Sequence, residues 1–290
     1  MKANLSGLRL LRTLIQRGWD ALTVAIVAAF LFPYAFMVLS AFKPRLETFK
    51  FANWILKPSL WFTKLQLDNF EQILDRFDLN ILFYMKNSLI IAVASTLLTM
   101  IIAIPATYSF ARFDFRRKEA IAYGFLFLQM VPGISIVFAL YFIAQQLKLH
   151  DTHAFLIFVY LLWNIPYAIW MLRGFVSAIP QDLEEAAMVD GASRFTAFRL
   201  VTLPLMIGGL AATSILIFIG VWNEFSLAFF LTSLNSRTLP TSIAFFQTHS
   251  GIKWGTMFAT ATLGTLPVVI FALIVRRYFV SALTFGAVKG

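Results

Sequence analysis

The feature that most constrains this chain is a series of apolar runs, each about 20 residues long or longer. A run of this length, folded as a helix, crosses the hydrocarbon core of a bilayer once. We predict six such spans, over residues 21–42, 81–110, 120–147, 154–175, 206–232 and 256–278. The sequence therefore predicts an all-α integral membrane protein, with residues 1–290 forming a single transmembrane domain.

Composition and charge agree with lipid as the main solvent. The chain is 60% hydrophobic and 13% charged, about half the charged fraction of an ordinary soluble domain. Its net charge of +10 arises from basic residues at the ends of apolar runs, so it does not form the basic stripe that binds nucleic acid. Because the chain has no cysteine, disulfides and thiolate metal sites are excluded.

Lysine and arginine counts predict the orientation of the spans. With the amino terminus inside, the four inner segments hold four, four, three and three basic residues. The two later outer connections hold one and two, and the longer first one is balanced by acids. The positive-inside rule then places both termini in the cytoplasm.

Residues 180–204 are the longest polar, helix-prone stretch away from the outer connections. Acids in its first turns suit the positive end of a helix dipole. Gly191 can end the first helix in the left-handed conformation, and Ser193 can cap a second helix that Pro204 closes. The segment is thus predicted as a helix, a turn and a helix on the cytoplasmic side. From these residues alone, it is either a solvated connection or a slim surface for another protein's groove.

The sequence contains none of the motifs that would let this chain hydrolyse ATP or act as an enzyme. It has no Gly-x-x-x-x-Gly-Lys-Ser/Thr loop, no nucleophile elbow and no paired His-Glu metal motif. Its three histidines fall in short polar connections, so no metal site is expected. If the chain moves a solute uphill, a partner must supply the energy.

Polar side chains inside predicted spans are costly in lipid and are therefore site candidates. Glu224 is the only carboxylate deep in an apolar run. The other candidates are Trp222, Asn223, Gln129, Asn164, Trp163 and Tyr167. Carboxylates and amides bind hydroxyls and rings stack on C–H faces, so the set suits a sugar path. The alternative is that the amides bond neighbouring helices.

Several motifs carry a resemblance to a known family. Glu185-Ala186-Ala187, Asp190-Gly191-Ala192 and Leu203-Pro204 resemble the "EAA" loop of bacterial ATP-binding-cassette (ABC) importer permeases. Further matches are Asn87-Ser88-Leu89, Trp222-Asn223-Glu224-Phe225, Leu239-Pro240 and residues 283–290. Together they resemble carbohydrate importer permeases, in the branch that includes the second permease subunit of the maltose importer.

The resemblance implies the type I importer permease fold, with residues 180–204 as a coupling loop whose first helix docks into a cleft of an ATPase subunit. It assigns ATPase coupling to Glu184, Glu185, Ala186, Ala187, Asp190, Gly191, Ala192 and Pro204. The implied partners are a homologous second permease subunit, two ATPase subunits and an extracytoplasmic sugar-binding protein. ATP and Mg belong to the ATPase subunits, with no cofactor in this chain. The implied location is the bacterial cytoplasmic (inner) membrane.

The function expected from these observations is that of a permease subunit in an ATP-driven sugar importer. The tail at residues 288–290 is expected to reach towards the ATPase dimer. The competing function is a secondary transporter or channel, which would carry an inverted repeat and several embedded charges. A membrane-embedded enzyme would need a convergent acid, base or metal set, which the sequence does not show.

Overall fold

Helices dominate the computed structural model, as the apolar runs predict. The structure describes residues 3–44, 57–75, 80–248 and 251–287. The tail at 288–290 therefore lies outside the described residues. The first helices are α1 (Ala3–Ala41), α2 (Asp68–Leu74), α3 (Ile81–Arg112), α4 (Lys118–Gln129), α5 (Gly133–Gln146) and α6 (His153–Ser177).

The second part of the chain contains shorter helices and more breaks. It comprises α7 (Asp182–Val189), α8 (Arg194–Ala197), a π-helix (Phe198–Thr202), α9 (Leu203–Leu205), α10 (Ile207–Trp222), α11 (Ser226–Leu231), α12 (Leu239–Ser242) and α13 (Trp254–Ala287). One detail differs from the all-α prediction: β1 (Gln247–Thr248) pairs antiparallel with β2 (Gly251–Ile252). Two residues per strand are too few for any periodic sequence signal.

Four helical stretches are long and apolar enough to cross a membrane singly: Ile15–Ala41, Ile81–Arg112, His153–Ser177 and Trp254–Arg276. Two further pairs pass the same test but are bent. Lys118–Gln129 and Gly133–Gln146 meet at 90°, and Arg194–Leu205 and Ile207–Trp222 meet at 70°. The described part of the chain therefore holds four to six candidate spans. The predicted fifth span, 206–232, is not one helix, because it breaks after Trp222 and resumes at Ser226.

Contacts divide the chain into two compact units. In the unit of residues before 80 together with 246–263, α2 is fixed to the end of α1. The Asn69 Nδ2 donates to the carbonyl oxygens of Ala41 at 2.8 Å and Lys43 at 2.9 Å. The buried Lys43 ammonium in turn donates to the carbonyls of Leu60 and Thr63.

The unit of residues 80–245 and 264–290 is built around α3, which packs mainly against α6 and α10. Its buried face consists largely of small side chains such as Ala92, Ser95 and Thr99, which allow helices to approach closely. At Gly209 on α10 an added Cβ would lie 2.4 Å from the Phe175 ring on α6. Only glycine fits that contact without movement of the ring.

Candidate coupling segment and the cavity at Glu224

Residues 180–204, termed here the coupling segment, begin with helix α7. Its first turn carries Asp182, Glu184 and Glu185, where acids stabilise a helix amino end. Gly191 follows with a φ of +94°, a left-handed conformation that favours glycine. The Ser193 Oγ then accepts a hydrogen bond from the Thr196 amide at 3.2 Å and caps α8.

The sequence predicted that Pro204 would close this second helix, but the helical structure does not end there. Helix α8 widens into the π-helix Phe198–Thr202, and helical structure continues through Pro204 to Leu205. The Leu203 amide bonds the Phe198 carbonyl, five residues back, so the register has shifted just before the proline. A proline at the start of a new α-helical register lacks only an amide that would otherwise be unpaired. The 70° bend comes instead at Met206.

Glu184 points into the protein rather than towards solvent. Its Oε1 accepts from the Arg112 Nε at 2.8 Å and the Thr202 Oγ1 at 2.7 Å, and its Oε2 accepts from the Tyr108 hydroxyl at 2.7 Å. Arg112 also donates to the Ile179 carbonyl at 2.9 Å. The Arg112 and Glu184 side chains are each 6% exposed. We call these residues the buried network.

The network fixes the charge state of Glu184. Burial alone raises the pKa of this carboxyl, but the hydrogen bonds from Thr202, Tyr108 and Arg112, with the charge of Arg112, lower it further than burial raises it. The net pKa lies below the usual glutamate value. Glu184 is therefore an ionised partner of Arg112 inside the protein, while its neighbour Glu185 is exposed.

The outer face of the coupling segment is apolar as well as charged. Leu183 is 46% exposed, Val189 87% and Phe195 71%. The predicted coupling residues Glu185, Ala186, Asp190 and Gly191 are also exposed, and Ala187 and Ala192 are half-buried. Exposed apolar side chains on a segment predicted to lie outside the membrane favour a contact with another protein where they form a continuous patch.

A cavity of about 390 Å³ lies where the helices break. Its lining includes Glu224, Asn164 and Trp163, which the sequence singled out, and Tyr160, which it did not. The Glu224 Oε2 accepts from the Tyr160 hydroxyl at 2.7 Å and from the Ala228 amide at 3.0 Å. Its Oε1 accepts from the Leu227 amide at 2.8 Å. The carboxylate thus stabilises the amino end of α11 and supplies a charged group to the lining of a largely apolar cavity.

The structure does not bring the remaining path candidates into this cavity lining. The Trp222 indole is buried and donates to the Gly264 carbonyl at 3.1 Å. The Asn223 amide bonds the Ile219 carbonyl of its own helix, and Gln129 donates to the Trp163 carbonyl at 2.6 Å. Asn164 lines the cavity and also donates to the Tyr160 carbonyl. The Gln129 bond corresponds to the alternative in which amides join neighbouring helices, whereas the Asn223 and Asn164 amides bond carbonyls four residues back in their own helices.

A polar cluster that the sequence reading missed organises the connection after α11. The Asp151 carboxylate accepts from the backbone amides of Ser233, Leu234, Asn235 and Ser236 at 2.8–3.0 Å. Burial raises the pKa of Asp151, but these four amides hold it well below the usual aspartate range. An aspartate just before a helix is too common to be predicted as the centre of such a loop.

Asn87, named above for its motif, holds the same connection from α3. Its Nδ2 donates to the carbonyls of Asn235 and Arg237, each at 3.0 Å, and its Oδ1 lies 2.9 Å from the His153 Nε2. Both amide hydrogens are used, so the His153 Nε2 is the donor in that pair. Within residues 3–44, 57–75, 80–248 and 251–287, no group of three or more metal-ligating side chains occurs.

Comparisons with known proteins identify the family of this chain. Residues 97–284 match the family described as binding-protein-dependent transport system inner membrane component. The trehalose/maltose transport system permease protein MalG of Thermococcus litoralis is 38% identical over 272 residues, covering 93% of this chain and 95% of that protein. The diacetylchitobiose uptake system permease protein DasC of Streptomyces coelicolor is 35% identical, covering 96% and 99%.

The fold also resembles a solved structure. A bacterial ABC transporter involved in the import of the acidic polysaccharide alginate aligns with a TM-score of 0.69 at 17% identity, over 90% of this chain and 94% of that one. At that identity the likeness shows the fold alone. The family match covers well over half of the chain, and the relatives cover nearly all of it. This protein is therefore a member of the binding-protein-dependent transport system inner membrane component family.

Proposed function

We propose that this chain is the transmembrane permease subunit of an ATP-driven sugar importer and forms half of its translocation pathway. The observation that carries the proposal is the exposed outer face of the coupling segment, where Val189 lies one helical turn after Glu185, and Leu183 and Phe195 are exposed elsewhere on the segment. Such a face on a short helix suits a groove in a second protein. We assign that groove to an ATPase subunit, which binds the ATP and Mg that this chain has no motif to hold.

The proposed membrane arrangement has six spans. It treats each bent pair as a single broken span, which adds two crossings to the four continuous ones. An even number of crossings puts both termini on one side, and the basic inner segments place that side in the cytoplasm. The coupling segment then faces the compartment that contains ATP.

Sugar is the proposed cargo for two independent reasons. The relatives carry trehalose, maltose and diacetylchitobiose in their names, all of them sugars. The cavity supplies a carboxylate, an amide and two aromatic rings, from Glu224, Asn164, Tyr160 and Trp163. Its volume lies in the roughly 300–1,000 Å³ range of small-molecule sites. Trp222 and Gln129 then support the path by bonding neighbouring helices, and Asn223 supports it by bonding the end of its own helix.

The proposed assembly pairs this chain with a homologous permease, two ATPase subunits and an external sugar-binding protein. Co-purification from membranes tests it, since all three partner types should be recovered and the ligand of the binding protein should be a sugar. If this chain transported solute alone on an ion gradient in liposomes, the secondary-transporter alternative would replace the proposal.

Two substitutions test the docking face. We expect Glu185→Lys, by reversing an exposed charge, and Gly191→Pro, by breaking the turn, to abolish uptake while the chain still inserts. Asp114→Lys is the matched control, because that carboxylate is fully exposed in another predicted cytoplasmic turn. Normal uptake by Glu185→Lys at normal subunit levels would overturn the docking role.

A further inference from the structure

Two adjacent acids of helix α7 have opposite surroundings. Glu185 is exposed on the outer face, whereas Glu184 is 5% exposed and accepts three hydrogen bonds from side chains of this chain. Residues next to each other on a helix project about 100° apart, so one short helix can present one acid outward and one inward. The two acids therefore have different structural roles.

The partners of Glu184 come from separate elements. Tyr108 and Arg112 lie on the last two turns of α3, and Thr202 lies in the π-helix. Arg112 reaches a fourth element through the Ile179 carbonyl, two residues past the end of α6. One guanidinium thus joins the ends of α3 and α6 to α7.

Ring contacts reinforce the same junction. The Tyr108 ring lies 4.6 Å from that of Phe198 in the π-helix, measured between centroids. The Arg194 guanidinium lies 5.1 Å from the centre of the Phe113 ring, just past the end of α3. The coupling segment is therefore fixed to the end of α3 at two places along its length.

A buried ion pair of this kind resists sliding. Separating its members would leave an uncompensated charge away from water, which is far more costly than separating apolar side chains. The planar guanidinium of Arg112 also fixes the orientation of α7 relative to the ends of α3 and α6, because it donates to both Glu184 and the Ile179 carbonyl. A displacement of α7 that keeps these bonds would therefore also displace the ends of α3 and α6.

We infer that Arg112 and Glu184 are the positioning pair that converts movement of the coupling segment into movement of α3 and α6. The inference rests on the proposed function and adds the internal connection that it requires. Glu185 belongs to the surface that the ATPase subunit binds. Glu184 belongs to the joint that passes the movement inward.

The test uses the assembled complex in proteoliposomes and a reporter in the cavity. The chain has no cysteine, so Ser226→Cys provides a single labelling site in the cavity lining. The rate of maleimide labelling of this chain is measured from the increase in its mass. It is compared with and without MgATP plus vanadate. We expect nucleotide trapping to change that rate about tenfold, within the range of measured allosteric couplings.

Glu184→Gln in this background should reduce the nucleotide response to less than about twofold, while the ATPase subunits still co-purify. Glu185→Gln is the matched control. It should weaken recovery of the ATPase subunits, but complexes that do assemble should still respond. A merely structural role of Glu184 would instead lower assembly and leave the response of assembled complexes intact.

Arg112→Gln and the double variant complete the design. If the two residues act as one unit, removing both should cost no more than removing one. The nucleotide response of the double variant should then be at least as large as the smaller of the two single-variant responses. If Glu184→Gln fails to insert, Arg112→Lys carries the test, since it keeps the buried cation but loses the fork. A full response in Glu184→Gln or Arg112→Lys would overturn the inference. No response in the Ser226→Cys reference itself would instead count against the proposed function.

Discussion

Replacing Asp151 with asparagine should release the connection at residues 233–236. The two carboxylate oxygens divide the four backbone amides equally: Oδ1 accepts from Ser233 and Ser236, and Oδ2 from Leu234 and Asn235. Asparagine keeps one oxygen and presents an NH₂ group in place of the other. Two amides then lose their acceptor and face a donor.

The size of the effect follows from these bonds. A hydrogen bond to a charged group contributes about 1.5–3 kcal/mol when buried. The amides of Leu234 and Asn235 are exposed, so water replaces part of the loss. We therefore expect the free energy of local opening to fall by about 2–3 kcal/mol, which corresponds to a roughly 30–150-fold larger open population and equally faster amide exchange.

Hydrogen–deuterium exchange of the amides of residues 233–236 measures this change directly. Asp114→Asn removes a fully exposed carboxylate elsewhere and should leave these four amides unchanged. If Asp151→Asn accelerated their exchange by less than about threefold, the carboxylate would not be what holds the connection, and the reasoning would be refuted.

Further predictions concern packing, hydrogen bonding and pH. Gly209→Ala should destabilise the fold by about 1–3 kcal/mol through its clash with Phe175, whereas Gly174→Ala, with open space around it, should not; thermal unfolding in detergent compares them. Trp222→Phe should cost about 1–3 kcal/mol, because a buried carbonyl loses its indole donor, and the same unfolding assay reports it. The folded-state pKa of Asp151 is depressed, so its stabilisation is fully present above about pH 4 and is lost as the pH falls towards that depressed value; exchange corrected for the intrinsic rate should show the loss only below about pH 4.

The long helices could be predicted from the sequence because their signal is local. A run of apolar residues such as those of α3 specifies a span without knowledge of its neighbours. The acids of α7 and the turn at Gly191 also follow from local preferences of helix ends. Helix breaks are harder to predict from local sequence. At Pro204 the helical structure continues because a π-helix precedes the proline.

The buried contacts could not be predicted, since they join distant positions. Arg112 and Glu184 are 72 residues apart, and nothing in their spacing distinguishes this pair from exposed charges at the ends of spans. The surroundings of Glu224 could be predicted only in part. Its cost in lipid indicated that it must have polar partners, but Tyr160 became identifiable as one of them only from the packing of α6 against the break after α10.

The π-helix at Phe198–Thr202 fixes an angle as well as a register. Each residue of an α-helix turns the chain by about 100° around the axis, so one extra residue in a turn rotates everything before it relative to everything after it. Deleting a single residue there would restore ordinary helical bonding, but it would also rotate α7 about the helix axis relative to α10. In this chain the number of residues between α7 and α10 therefore matters as much as their identity.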